Sequence, residues 1–211
     1  MEKDKVKKVV VMGAGTMGHG IAQSFAQGGY QVSMISRTRK TLDRALKLIE
    51  TSLGTMVQEG ILDEGSSEKV MRRINPTTSL KEGACDADIA IETVLEDKDA
   101  KKEVFAQLDS YCPHRALLAS NTSFLNIFDF VETSRPDKVL ITHWYAPPQL
   151  IPLVEVVGGP NTDEANVQLM AQMLKGIGKR PVVLKKFIPG YAINRIQHAI
   201  TREVHFLLDN D

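Results

Sequence analysis

Lys8-Val9-Val10-Val11-Met12-Gly13-Ala14-Gly15-Thr16-Met17-Gly18-His19-Gly20-Ile21-Ala22 is the stretch that decides how this chain folds. A short β-branched run feeds a G-x-G-x-x-G turn, and a helical pattern opens directly out of that turn. Gly13 permits the tight bend, Gly15 lets backbone approach an anion with no Cβ in the way, and Gly18 brings helix and strand close together. The new helix then points its free N–H groups at the anion. Strand, turn and helix in this order near the N-terminus predict a dinucleotide pyrophosphate as the ligand, with Gly13, Gly15, Thr16, Met17 and Gly18 as its cradle.

Selection between dinucleotides falls at the end of the second strand, where an acidic side chain would hold the ribose hydroxyls of NAD. The second strand reads Tyr30-Gln31-Val32-Ser33-Met34-Ile35 and is followed by Ser36-Arg37-Thr38-Arg39-Lys40, with no carboxylate before Asp43. Ser36 and Arg37 suit a 2′-phosphate, because the repelling carboxylate is gone and a planar donor fork is supplied. NADP is therefore favoured, with NAD the alternative. The competing reading makes Arg37, Arg39 and Lys40 a solvated helix entrance.

The 211 residues suffice for one substantial α/β domain and a fragment of another. Lysine plus arginine equals aspartate plus glutamate at 26 each, so no positive field argues for nucleic acid. Cys85 and Cys112 stand far apart without a C-x-x-C pattern, which suggests neither a disulfide framework nor a metal site. The charged opening runs straight into the first strand, and no apolar run reaches membrane-spanning length. A cytoplasmic protein with no membrane partner is expected.

Leu42, Ala45, Leu46, Ile49, Leu53 and Met56 recur at helical intervals and predict a long helix from Thr41 to about Gln58. A second helical stretch from Ser66 to Arg73 makes an inserted helical hairpin with it, ahead of a strand near Asn75-Pro76. Strand-like runs return at Ile89–Ile91, Ala116–Ala119, Val139–Thr142, Leu153–Val157 and Pro181–Leu184, separated mostly by helices such as Asp97–Leu108 and Asp163–Gly176. This alternation predicts a doubly wound, mainly parallel Rossmann-type sheet covered on both faces. Phe187-Ile188-Pro189-Gly190 then breaks the pattern, so residues 1–187 read as the dinucleotide-binding domain and 188–211 as the first helix of another. That helix carries Ile196, Ala199, Ile200, Val204 and Leu207 on one stripe, which needs a partner surface.

Four polar residues fall where such a sheet presents its ligand-facing edge: Ser123, His143, Glu155 and Asn194. His143 ends an apolar strand and precedes Trp144-Tyr145-Ala146-Pro147-Pro148, a setting for a base among aromatic walls. Glu155 lies between Leu153-Val154 and Val156-Val157, where a carboxylate is costly to bury unless paired. A nearby imidazole would satisfy it, and a carboxylate-oriented histidine is the arrangement that takes a proton from an alcohol. The duller readings are a core histidine, a structural ion pair, a helix cap at Ser123 and a helix start at Asn194.

With these pieces the chain resembles the 3-hydroxyacyl-CoA dehydrogenase family over nearly its whole length. The Gly13–Gly18 turn, Glu92-Thr93-Val94-Leu95-Glu96, Ser120-Asn121-Thr122-Ser123, His143 with Pro147, Leu153-Val154-Glu155-Val156-Val157 and Pro189-Gly190-Tyr191-Ala192-Ile193-Asn194-Arg195 fall in the family's order. The resemblance implies that His143, paired with Glu155, takes the hydroxyl proton of a 3-hydroxyacyl-CoA as C3 delivers hydride to the nicotinamide. It implies that Ser123 bonds the reacting oxygen near the nicotinamide, that Asn194 positions substrate, and that Glu96 and Lys101 line the cofactor site. Ser52 corresponds to a position that meets the CoA moiety.

Three positions depart from the family pattern. Ser36 stands where its cofactor-selecting aspartate would be, Ala146 where an asparagine precedes proline, and Glu59 in the neighbourhood where a lysine would help bind the CoA phosphates. The family also carries an all-helical domain that completes the substrate pocket and forms a homodimer, so the chain reads as truncated after its first helix. Two other readings remain: the same redox chemistry on a non-CoA 3-hydroxy acid, sugar acid or carnitine-like substrate, and a dinucleotide-binding structural or regulatory protein without turnover.

Overall fold

A computed structural model describes residues 5–210. Strand β1 (Lys8–Met12) enters the glycine turn, helix α1 (Gly18–Gln27) leaves it, and β2 (Gln31–Ile35) returns beside β1. Helices α2 (Arg39–Gln58) and α3 (Ser66–Met71) then lead to β3 (Ile74–Thr77). Short α4 (Leu80–Ala84) leads to β4 (Ile89–Glu92), and α5 (Lys98–Tyr111) to β5 (Leu117–Ser120). Strands β6 (Val139–Trp144) and β7 (Leu153–Gly158), helix α6 (Glu164–Gly176), β8 (Arg180–Leu184) and helix α7 (Ile193–Asp209) complete the order.

Among the described residues the strands form one eight-stranded sheet in the order β3-β2-β1-β4-β5-β6-β7-β8. Every neighbouring pair is parallel except β6 with β7. The chain reverses its direction of winding between β1 and β4, and sheets of this kind bind their ligands beside such a switch point, at the strands' C-terminal ends. Successive β1 side chains supply two cores, as a sheet covered on both sides requires. Val9 and Val11 pack with Ile21, Phe25, Leu42 and Met170, whereas Val10 and Met12 pack with Phe105, Leu108 and Leu118.

Side-chain caps start three of the long helices. Thr38 Oγ1 accepts from Thr41 N at 3.2 Å, Asp97 Oδ1 from Ala100 N at 2.9 Å, and Asp163 Oδ1 from Ala165 N at 2.9 Å. α1 has no such cap, which leaves its first amides to a ligand.

Two differences from the sequence reading have local causes. The second helix of the hairpin stops at Met71 rather than Arg73, because the Arg73 carbonyl accepts from Val32 N at 2.8 Å and is drawn towards the sheet. Helix α4 is too short to show periodicity in the sequence; Ser79 Oγ caps it by accepting from Glu82 N at 3.3 Å. On α7 the stripe of Ile196, Ile200, Val204 and Leu207 is exposed throughout.

Candidate active site

The three glycines of the turn meet three different constraints. Gly13 has φ +111°, and a Cβ there would lie 2.6 Å from Thr93 Oγ1. A Cβ on Gly18 would fall 1.8 Å from the Gly13 carbonyl oxygen, so helix and strand approach as closely as only glycine permits. A Cβ on Gly15 would meet nothing within 4 Å. The first and third glycines are thus demanded by the protein itself, while the second keeps open a space in front of uncapped amides. That cradle fits the pyrophosphate of a dinucleotide.

His143 and Glu155 are brought together by the one antiparallel pairing in the sheet. Because β7 runs against β6, the strands place His143 directly opposite Glu155 at the ligand-facing edge. His143 Nδ1 lies 3.0 Å from Glu155 Oε2, and both side chains are buried. Oε2 also accepts from the Tyr145 hydroxyl at 2.6 Å, while Oε1 accepts from Ala192 N at 2.8 Å and Ile193 N at 3.1 Å. Burial alone would raise the Glu155 pKa, but the bonds from His143, Tyr145 and the two amides together outweigh it and hold the carboxyl below its ordinary value. Against an ionised carboxylate the imidazole carries its proton on Nδ1, which leaves Nε2 as the basic nitrogen. Nε2 makes no hydrogen bond among the described residues.

This pair is tied mechanically to the cradle. The Trp144 ring packs 5.8 Å from that of Phe25 on α1, and a Cβ on Gly20 of α1 would lie 2.6 Å from Pro148 Cγ. Tyr145 and Tyr191 flank the imidazole, with ring centroids at 4.5 and 5.0 Å.

Ser123 and Asn194 also come together: Asn194 Nδ2 donates to the Ser123 carbonyl at 3.1 Å. Glu96 organises the same loop, accepting at Oε1 from Thr122 Oγ1, from Ser123 N at 2.8 Å and from Phe124 N at 3.2 Å. Burial would raise the Glu96 pKa, but these bonds and the Lys101 charge bring it below the ordinary value. Lys101 departs from expectation. Its side chain is 1% exposed, and its ammonium bonds Glu92 Oε1 and Oε2 at 2.8 and 2.9 Å and stands 3.4 Å from Glu96 Oε2. It therefore sits behind the site wall as a counter-ion for two carboxylates rather than lining the surface, since an ammonium loses too much hydration on burial to stay unpaired.

Ser36 directly follows Ile35, whose carbonyl accepts from Gly13 N at 2.8 Å, so this position adjoins the cradle. Arg37 is exposed. Arg39, by contrast, pairs with Asp43 at 3.0 Å along α2. Ser52 faces inward and accepts from Gln23 Nε2 at 3.1 Å, which joins α2 to α1. Ala146 and Glu59 are exposed.

Two participants escape the sequence reading. Glu92, wholly buried, also accepts from Ser120 Oγ at 2.6 Å and Val94 N at 2.6 Å. A weaker form of the signal that singles out Glu155 could have found it, since Glu92 closes the apolar run Ile89-Ala90-Ile91 where Glu155 lies inside one. Tyr145 reads in the sequence only as an aromatic wall, because nothing local reveals that its hydroxyl reaches across the hairpin to Glu155.

A doubly wound sheet, a glycine cradle at its switch point and a histidine–carboxylate pair on the same edge define a Rossmann-type dinucleotide-binding domain. The family model described as "3-hydroxyacyl-CoA dehydrogenase, NAD binding domain" matches residues 8–187, and the chain belongs to that family. It is 37% identical over 190 residues to a 3-hydroxybutyryl-CoA dehydrogenase of Clostridioides difficile, covering 90% of this chain and 67% of that protein. An L-carnitine dehydrogenase of Streptomyces griseus is 33% identical over 208 residues, covering 98% of this chain and 61% of that protein. The crystal structure of a 3-hydroxybutyryl-CoA dehydrogenase from Escherichia coli K12 superposes with a TM-score of 0.87 at 35% identity, covering 91% of this chain and 40% of that chain. The chain thus spans two-fifths to two-thirds of the length of these relatives. No helix among the described residues is long and apolar enough to cross a membrane.

Proposed function

We propose that this chain contributes the cofactor-binding and proton-transfer part of an oxidoreductase that interconverts 3-hydroxyacyl-CoA and 3-ketoacyl-CoA. The observation that carries the proposal is the contact between His143 Nδ1 and Glu155 Oε2 at 3.0 Å, on the edge where the glycine cradle opens. In oxidation, His143 Nε2 accepts the proton of the C3 hydroxyl, and the buried Glu155 carboxylate stabilises the resulting imidazolium. In reduction the same imidazolium returns the proton to the C3 oxygen. Ser123 holds that oxygen, and Asn194, bonded to the Ser123 carbonyl, fixes the loop and the substrate together. A nicotinamide, when bound, supplies hydride acceptance and donation. Gly13, Gly15, Thr16, Met17 and Gly18 hold its pyrophosphate. Glu96, backed by Lys101, shapes the wall beside Ser123.

NADP is the preferred dinucleotide in this reading, supported by Ser36 at the end of β2 and by exposed Arg37. Ser52 is assigned to the CoA moiety in the same reading, and its hydroxyl also accepts from Gln23. Helix α7 is the first helix of a helical substrate domain whose pairing makes a homodimer, in keeping with its exposed stripe. A cytoplasmic setting belongs to the same reading, in keeping with the two free thiols at Cys85 and Cys112.

A carnitine-like substrate is the second reading. Ala146 removes a polar side chain next to the base, and the carnitine dehydrogenase relative matches nearly the whole chain. Steady-state oxidation of 3-hydroxybutyryl-CoA and of carnitine, each with NADP and NAD, tests both. A large preference for the CoA thioester with NADP is expected. A preference for carnitine would overturn the substrate assignment, and equal use of the two dinucleotides the cofactor assignment.

A further inference from the structure

The Glu155 oxygen on which His143 relies is shared. Tyr145 Oη donates to Oε2 at 2.6 Å, a shorter contact than the 3.0 Å between the same oxygen and His143 Nδ1. The two rings lie 4.5 Å apart, so the hydroxyl and the imidazole reach the oxygen from adjacent positions on one edge. Oε1 offers no alternative, because the amides of Ala192 and Ile193 occupy it. We infer that Tyr145 is a positioning residue for the proton transfer, setting the strength of the His143–Glu155 pair by drawing charge from the oxygen that holds the imidazole. The inference rests on the functional reading given above.

The donors around the buried Glu155 carboxylate compete for its charge. A buried carboxylate has a fixed amount of negative charge to offer, and each donor that takes a share weakens the others' hold. A phenylalanine ring would fill the same space, so the hydroxyl contributes only this bond. Burial, followed by the bond to Glu155 and its charge, pushes the Tyr145 phenol well above its ordinary value, so it stays protonated and remains a donor throughout the working range. The other groups facing the pair do not duplicate it. Tyr191 stacks near His143, but its hydroxyl is spent on the Thr122 carbonyl at 3.1 Å and its phenol is raised by burial. Glu96 acts on Tyr191 from the neighbouring loop, and β8 presents only Val182 opposite Glu155.

The test is Tyr145→Phe in the full chain. Two readouts are the His143 Nδ1–H proton resonance and the pH at which the pair takes up its proton by ¹⁵N NMR, and a third is the pH profile of hydroxyl oxidation. Without the hydroxyl, Oε2 belongs to the imidazole alone. The resonance should move downfield, and the pair's midpoint should rise by about one pH unit, the scale of one charge-assisted bond. The acid limb of kcat should move with it, because the neutral base is then reached at higher pH, while KM for the dinucleotide stays put. A variant that is merely less stable, with resonance and midpoint unchanged, overturns the inference. Should Tyr145→Phe fail to fold, 3-fluorotyrosine at position 145 keeps the ring and donates more strongly; its midpoint should fall, and an unchanged one overturns the inference. A shifted midpoint in a chain that turns over no hydroxyacyl substrate refutes the proposed function alone, whereas turnover with an unshifted midpoint refutes only the role of Tyr145.

Discussion

Glu155→Gln preserves the shape of the carboxylate and removes its charge, and the surrounding donors dictate the outcome. The amide has one oxygen and two N–H groups, whereas the native carboxylate accepts from Ala192 N, Ile193 N, Tyr145 Oη and His143 Nδ1. The two backbone amides cannot turn away, so the amide oxygen must face them and the NH₂ must face the imidazole. His143 then has to accept at Nδ1 and carry its proton on Nε2, which leaves it no basic nitrogen for the substrate. The expected loss is about 10²–10⁴ in kcat, the usual worth of a positioned base. KM for the dinucleotide should stay unchanged, since the cradle is untouched. Exchanging a charge-assisted network for a neutral one should lower unfolding stability by about 1–3 kcal/mol at neutral pH. That deficit should narrow in acid. The native carboxyl is held below its ordinary 4.5, so its contribution is full above that value and is lost as pH falls through the folded-state value, whereas glutamine has nothing to lose. Urea unfolding at several pH values, ¹⁵N NMR of the imidazole and steady-state oxidation check the three parts. A variant with its proton still on Nδ1 and kcat within about threefold of native would refute the reasoning.

Gly15→Ala and Gly18→Ala should part ways: the first melts like the parent but loses dinucleotide binding by titration, because its Cβ enters only ligand space. The second is destabilised outright, with its Cβ 1.8 Å from the Gly13 oxygen. Ser36→Asp should shift the ratio of NADPH to NADH affinity towards NADH by about tenfold or more, which is ~1.4 kcal/mol, and an unchanged ratio in fluorescence titrations counts against the cofactor assignment. Lys179, buried with Nζ donating to the Pro148 and Ile151 carbonyls at 2.6 and 3.1 Å, has its pKa pushed down by burial from 10.5 to about 8. The folded state therefore releases this proton first, and stability from this group rises between pH 8 and 10.5; Lys179→Met should melt with a flatter pH dependence over that range.

The sequence discloses whatever depends on neighbours along the chain. The glycine turn can be read because each glycine answers a demand made within a few residues or by the helix it opens. Glu155 is legible because a charge inside Leu153-Val154-x-Val156-Val157 needs a partner wherever the chain goes. Beyond the His143–Glu155 pair, contacts between distant elements are not legible. The Tyr145 hydroxyl, the Glu92–Lys101 pair and the amides of Ala192 and Ile193 meet their partners only after β7 turns back on β6 and α5 lies over the sheet. Lys101 shows the same limit, since its place on a helix says nothing about whether it faces solvent or two buried carboxylates.

The amides that Glu155 binds belong to the residues where α7 begins, so a single side chain serves both as counter-charge and as the pin on which the following helix is hung. Whatever that helix carries is fastened to the His143–Glu155 pair through these two amides, and to the neighbouring loop through Asn194.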